Sequence, residues 1–336
     1  MIDSTYPLCE LHRHLDGSVR LSTILELGLK YHLHLPGASL EELRPYVQVS
    51  DPQPGVMAFI QKFKWQTCVM ADISACKRIA CESVLDAAAE GIDYIELRFS
   101  PLFMAEAHKL DPVKVTAAVI EGVEEGRQST DISVNLIGII SRTYGPEKAW
   151  QELNALLAHQ QFITGLDLAG DEANYPGEEF IDHFRKARDA GWHITVHAGE
   201  IAGAESIWQA IQQLGAERIG HGLSAITDPI LMDHLAEHRI GVECSLTSNV
   251  QTSVVADYKV HPLRAFLEHG IMASINTDDP GISNITIAHE YDVALNRAGL
   301  TSEMVHQAQK NALGTAFLTV KEKENLIQKK ISLSSL

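Results

Sequence analysis

Eight short apolar runs, set at intervals along the chain, limit its possible folds more than any other feature. They read LCELHRH (8–14), DYIELRFS (93–100), SVNLIGIIS (133–141), TGLDLAG (164–170), HITVHAG (193–199), RIGHG (218–222), IGVECSLTS (240–248) and MASINTDD (272–279). Between them lie amphipathic stretches. ISACKRIACESVLDAAAEG and PVKVTAAVIEGVEEG space their apolar residues three and four apart and finish on Gly, a helix stop. Alternation of strand and helix implies parallel strands with helical crossovers. Eight such units predict an α/β fold, a closed (β/α)8 TIM barrel, and 336 residues suit one. A doubly wound open sheet is the competing architecture, weakened because no GxGxxG follows the first run.

Nearly eighty residues separate the first two runs. Residues 1–336 are expected to form a single barrel domain, with a helical lid inserted at about 18–75, where barrel enzymes often build lids. Phe59 and Phe63 stand four apart in GVMAFIQKFKWQTCVM and so share a helix face. Spacing alone favours packing of that face onto the barrel over an aromatic wall for a flat substrate.

Charge narrows the partners. Forty-four acidic against 27 basic side chains give a formal net charge of −17, with no basic cluster. Nucleic acid and anionic membrane surfaces need concentrated Lys and Arg, so neither is expected as a partner. Five cysteines without a CxxC pair read as free thiols in a reducing cytosol. The opening MIDSTYPLCE has no apolar run, and no stretch is long enough to span a bilayer. The expectation is a cytoplasmic protein that acts on a small molecule without an obligate protein partner.

The chemistry collects at the ends of the runs. His12 and His14 are two residues apart on the first strand, so they point the same way, into the barrel at its C-terminal mouth. HITVHAGE delivers His197 and then Glu200; RIGHG delivers His221; SINTDDPG delivers Asp278 and Asp279. Any one could be ordinary: a core histidine, turn residues, or a helix-capping acid. Together they describe a hydrolytic metal centre. His12, His14, His197 and Asp278 suit one Zn2+ per chain, and zinc lowers the pKa of bound water from near 16 to about 7. Asp279 and His221 could hold that water, and Glu200 could donate a proton. His193, four residues before His197, reads as structural. Glu96 and Arg98 share a strand face and are expected to pair. The remaining histidines, His183 and His261 among them, are expected to be solvated. No strand ends in Lys, which weighs against a two-metal centre.

HRHLDG, HAGE, IGHG and SINTDDPG, in this order, closely resemble the adenosine deaminase family of zinc-dependent barrel hydrolases; ELRFSP and DLAGDE fit as well, and SLTSNVQTS resembles the bacterial branch. The resemblance runs from about residue 6 to about 320. It implies zinc ligation by His12, His14, His197 and Asp278 and proton donation to the purine by Glu200. It implies that His221 positions the attacking hydroxide and that Asp279 orients the water and bonds the purine. It also implies a backbone contact to the ring at Gly170, a ribose contact at Asp16, and an aromatic wall at Phe59 and Phe63. His14 is expected beside the substrate as well as on the metal. Lys64 departs from the acidic residue expected after that helix position.

The implied activity is hydrolytic deamination of adenosine and 2'-deoxyadenosine, by attack of zinc-activated hydroxide on the purine, within purine salvage. The alternatives are deamination of free adenine or of another adenine-bearing metabolite, against which Asp16 argues. A catalytically dead barrel would have lost a ligand or the acid, and none is missing.

Overall fold

The structure is a computed structural model that describes residues 2–334. Eight parallel strands follow one another around a barrel in sequence order: β1 (Cys9–His14), β2 (Tyr94–Phe99), β3 (Ser133–Ser141), β4 (Gly165–Ala169), β5 (His193–Ala198), β6 (Arg218–His221), β7 (Gly241–Cys244) and β8 (Met272–Ile275). Each neighbouring pair is hydrogen-bonded in parallel register. Between β8 and β1 there is no full ladder. A single parallel bridge joins Arg13 to Asp278. His14 N–H donates to the Asp278 carbonyl at 2.8 Å, and Asp278 N–H to the His12 carbonyl at 2.8 Å. Below this, the Asn276 side chain accepts from Leu11 N–H at 3.0 Å, standing in for a missing backbone partner.

The run at 240–248 was expected to be strand throughout. It stops at Cys244, and Leu246–Gln251 winds into a short helix across the barrel mouth. The sequence pattern could not separate a buried helical turn from a buried strand, because both are apolar and short. Gly126 was read as a helix stop, yet its helix runs Pro112–Gln128. A Cβ there would lie 2.7 Å from Val84 Cβ, and one at Gly122 would lie 2.2 Å from the Lys77 carbonyl. These two glycines let the helix press against its neighbour, Ile73–Ala89. The helix Ile73–Ala89 does end near a glycine, Gly91, at φ 78°.

The long segment between β1 and β2 is helical. Leu21–Lys30, Leu40–Val47, Val56–Ile60 and Phe63–Thr67 precede the crossover helix Ile73–Ala89, which Asp72 caps by accepting from Ala75 N–H at 2.8 Å. Gln61 and Lys62 interrupt the expected single helix, but both keep right-handed helical angles. Phe59 and Phe63 therefore still face the same way, ring centroids 6.3 Å apart and edge to face.

The inside of the barrel is ionic where most barrels are apolar. Arg98 binds Asp167 at 2.8 Å and Glu243 at 2.7 Å; Arg218 binds Glu243 at 2.6 Å and also pairs with Glu96. All five are buried. Glu96 and Arg98 were expected to pair with each other. They pair across the barrel instead, because two residues on one strand face run side by side and their partners lie on facing strands.

No helix among the described residues is long and apolar enough to cross a membrane. All five cysteines are free.

Candidate active site

Each strand that ends in an ionisable residue delivers it to the same place. His12 Nε2 lies 3.2 Å and His14 Nε2 3.3 Å from Asp278 Oδ1, and His14 Nε2 lies 3.3 Å from His197 Nε2. The ligand atoms of His12, His197, His221 and Asp278 all fall within 4.8 Å of one another. Five buried groups thus surround one point. His14 and His221 differ in what stands at their other nitrogen: Asp16 lies 3.8 Å from His14 Nδ1, whereas Asn249 engages His221 Nδ1 at 3.0 Å.

The backbone is bent to achieve this. His221 and Asp278 adopt φ of 62° and 64°, the left-handed region that non-glycine residues seldom occupy. β1 also carries a register shift between Glu10 and Arg13, a bulge just where the histidines are aimed. Such strain collects where function fixes geometry.

The donor set fits a cation. His12 Nε2 is buried and makes no hydrogen bond; it faces Asp278 off the hydrogen-bonding axis, as two ligands of a common third atom do. His12 Nδ1 contacts Glu243 Oε2 at 2.7 Å, and His197 Nδ1 contacts Asp167 at 2.9 Å. A carboxylate on Nδ1 holds the ring with Nε2 bare and directed inward, the usual second layer of a metal centre. Burial and Arg98 oppose a charge on His12, but the carboxylates of Asp278 and Glu243 beside it prevail and raise it to about 9. The pocket thus draws positive charge to the spot where an ion would lie. Burial holds the His14, His197 and His221 imidazoles neutral, with pKa values below the usual histidine range, as ligands must be.

Carboxyl groups ring the cavity beside the cluster. Burial, then the charges of Asp278 and Glu172, push Glu200 up to about 8. Burial, then Asp278 and Asp16, push Asp279 well above the carboxylate range. Burial pushes Asp16 up to about 7. Asp16 Oδ1 and Asp279 Oδ1 are buried and have no protein partner. The cavity holds about 300 Å³, and Phe59, Phe63 and Phe103 line it together with His14, His197 and His221. Phe59 and Phe63 are buried with Val49 and Ile282, so they are packing residues and cavity wall at once. Lys64 does not line it; its ammonium lies over the Trp65 ring at 4.9 Å. Gly170 lines the cavity at φ 112°, and a Cβ there would meet Thr143 Oγ1 at 2.5 Å. Gly17 is tighter still: a Cβ would lie 1.8 Å from Asp279 Oδ1.

An "Adenosine deaminase" family model matches residues 7–332. The chain is 56% identical over 329 residues to an adenosine deaminase of Klebsiella pneumoniae (strain 342) and 57% identical over 329 residues to one of Escherichia coli O1:K1 / APEC. Each match covers 98% of this chain and 99% of the relative.

The chain belongs to the adenosine deaminase family.

Solved structures carry the same fold. An adenine deaminase from Arthrobacter aurescens superposes with a TM-score of 0.90 at 22% identity, covering 98% of this chain and all of that one. A Burkholderia ambifaria amidohydrolase with bound Zn gives 0.86 at 23%, covering 99% and 92%. The apo N6-methyl-AMP deaminase of Arabidopsis thaliana gives 0.83 at 26%, covering 99% and 98%.

In this deaminase-family barrel, sequence reasoning missed the supporting residues. Glu172 accepts from the N–H groups of Gly199 (2.6 Å), Glu200 (3.1 Å), Ile201 (2.8 Å) and Ala202 (3.1 Å), which fixes the loop that carries Glu200. Ser248 Oγ donates to Asp278 Oδ2 at 2.6 Å. Asp167, Glu243 and Asn249 orient three of the histidines. Two histidines expected in solvent are buried. His183 bonds the Pro146 carbonyl at 2.9 Å and stacks on Trp150, and His261 contacts Asn249. His183 stands on the apolar face that Phe180, Phe184 and Ala187 mark at helical spacing, so its burial did have a local signal; His261, in a turn before Pro262, had none. His193 is structural as expected, pairing with Glu217 at 2.9 Å and stacking on Phe317.

Proposed function

We propose that the chain is a zinc-dependent aminohydrolase that converts adenosine and 2'-deoxyadenosine to inosine and 2'-deoxyinosine with release of ammonia, in purine salvage. One observation carries this reading. A His/Asp cluster able to hold a metal ion shares a single cavity with two carboxyl groups whose pKa values are raised, in a chain 56–57% identical to enzymes named adenosine deaminase.

His12, His14, His197 and Asp278 would hold the zinc, which when bound would supply Lewis acidity, bringing the pKa of water to about 7. Glu200 is the acid. Its raised pKa leaves a proton to give to a ring nitrogen, so negative charge does not build on the purine as water adds. His221, 3.9 Å from Glu200 Oε1 and 4.0 Å from Asp278 Oδ2, faces the space between acid and ligand and orients the water. Asp279, also protonated, donates a hydrogen bond to the purine. Adenosine and water become inosine and ammonia. One proton of the water leaves with the amine, and the other restores Glu200.

Asp16 favours a nucleoside over the free base: its unpartnered buried oxygen is an acceptor suited to a ribose hydroxyl. A phosphate is disfavoured, since no Lys or Arg is among the described residues lining the cavity. Phe59 and Phe63 would lie against the base under a lid formed by residues 18–75 of a single catalytic domain. Gly170 would bring its backbone to the ring. Five free thiols accord with a cytoplasmic enzyme.

A substrate panel of adenosine, deoxyadenosine, adenine and AMP, followed by ultraviolet absorbance, tests the reading. Adenosine and deoxyadenosine should turn over fastest, and activity should vanish on zinc chelation and return on re-addition. Faster turnover of adenine, or full activity in demetallated protein, would contradict it.

A further inference from the structure

A row of hydrogen bonds leads from a backbone amide to the site, and its direction is fixed by its first member. Leu263 N–H donates to His261 Nδ1 at 3.1 Å. A backbone amide can only donate, so His261 Nδ1 is bare and its proton is on Nε2. His261 Nε2 lies 3.0 Å from Asn249 Oδ1, so it donates there. The amide of Asn249 is thereby oriented, and its Nδ2 faces His221 Nδ1 at 3.0 Å. An NH2 group can only donate, so His221 Nδ1 is bare in its turn. The remaining His221 proton is on Nε2, the nitrogen that points between Glu200 and Asp278.

His261 and Asn249 are buried, so water does not compete for these bonds. Burial pushes His261 down to about 3, so it stays neutral and keeps one bare nitrogen. The arrangement is the opposite of that around His12 and His197. Those rings meet carboxylates at Nδ1 and present a bare Nε2 inward.

We propose that Asn249, oriented by His261, is a positioning residue that holds His221 as the Nε2–H tautomer, so that His221 acts on the reacting water as a hydrogen-bond donor and is excluded as a ligand. The proposal rests on the deaminase reading for its catalytic consequence and on geometry alone for the tautomer. It separates five inward-facing groups into four that can ligate a cation and one that donates a hydrogen bond to the water instead. It also gives the short helix Leu246–Gln251 a purpose: Ser248 and Asn249, adjacent in sequence, hold Asp278 and His221 respectively.

Nitrogen-15 NMR of the imidazoles in the zinc-loaded full chain tests it directly. His221 should show a protonated Nε2 and a bare Nδ1. Asn249→Asp, nearly equal in shape, puts an acceptor opposite Nδ1 and should draw the proton there. It should lower kcat about 10- to 100-fold, the effect usual for supporting residues of a metal centre. KM should stay within about two-fold, since the donor acts in the transition state. His261→Gln, which can still donate to Asn249, should retain more activity than His261→Leu. A wild-type His221 protonated on Nδ1 overturns the proposal. So does an Asn249→Asp variant with unchanged tautomer and kcat. Should that variant fail to fold, the wild-type spectrum decides alone. A chain with the expected tautomer but no adenosine turnover would leave the tautomer standing and defeat the assigned function.

Discussion

Replacing Glu200 by Gln keeps the side chain's size and removes its transferable proton. For a general acid the expected loss in kcat is about 10²- to 10⁴-fold, with KM little changed, read from the absorbance change of adenosine. The wild-type pH profile follows from the same group. A carboxyl raised to about 8 is protonated below that pH and loses its proton as pH rises through it. A bound dication moves the transition downward. The rate should therefore fall on an alkaline limb centred at or below about 8, and a rate flat well beyond that pH would exclude Glu200 as the acid. At this scale the sequence pointed to the cluster wherever a candidate side chain stands at or near the end of its own strand, as His12, His14, His197 and His221 do. It was not legible for Asp167, Glu243, Asn249 and His261, which become neighbours of those histidines only when the barrel closes. Asp167 and Asn249 stand in DLAGDE and SLTSNVQTS, which point to the family but not to what these two side chains touch.

The helix Leu246–Gln251 shows what a short element can do at a barrel mouth. Ser248 holds Asp278 Oδ2 while Asp278 Oδ1 faces the imidazoles. Ser248→Ala leaves that carboxylate free to rotate, and zinc affinity should fall about 10- to 100-fold, measured by chelator competition. Unchanged affinity would mean that the backbone alone orients Asp278. The element was misread as strand because CSLTS alternates like a strand beyond β7, and the run at 272–279 was likewise too long, β8 ending at Ile275; the other six strands were found nearly to the residue. The glycines of Pro112–Gln128 misled in a similar way. Gly126 looks like a terminator in sequence, but the helix beside it needs the space a side chain would occupy. Periodicity reports which face of a helix is apolar, not how near its neighbour comes.

For the whole molecule, the ionic interior is the consequential choice. Arg218 neutralises both Glu96 and Glu243, and Glu243 in turn orients His12. Arg218→Leu strands the buried Glu96 carboxylate and leaves Glu243 with Arg98 alone. The expected cost is about 3–5 kcal/mol of stability, measurable by urea unfolding, together with weaker zinc binding through His12. A smaller loss would mean that Arg98 suffices for Glu243 and that the Tyr94 hydroxyl and the Phe317 amide suffice for Glu96. The pairing across the barrel could not be anticipated from Glu96 and Arg98 alone, since strand neighbours reveal a shared face but not the opposing one. The seam between β8 and β1 has a consequence for opening the barrel. It brings His12 and His14 against Asp278 across one bridge rather than a ladder. An ion gripped from both sides of that join would act as a clasp, so that parting the first and eighth strands would also mean letting go of the metal.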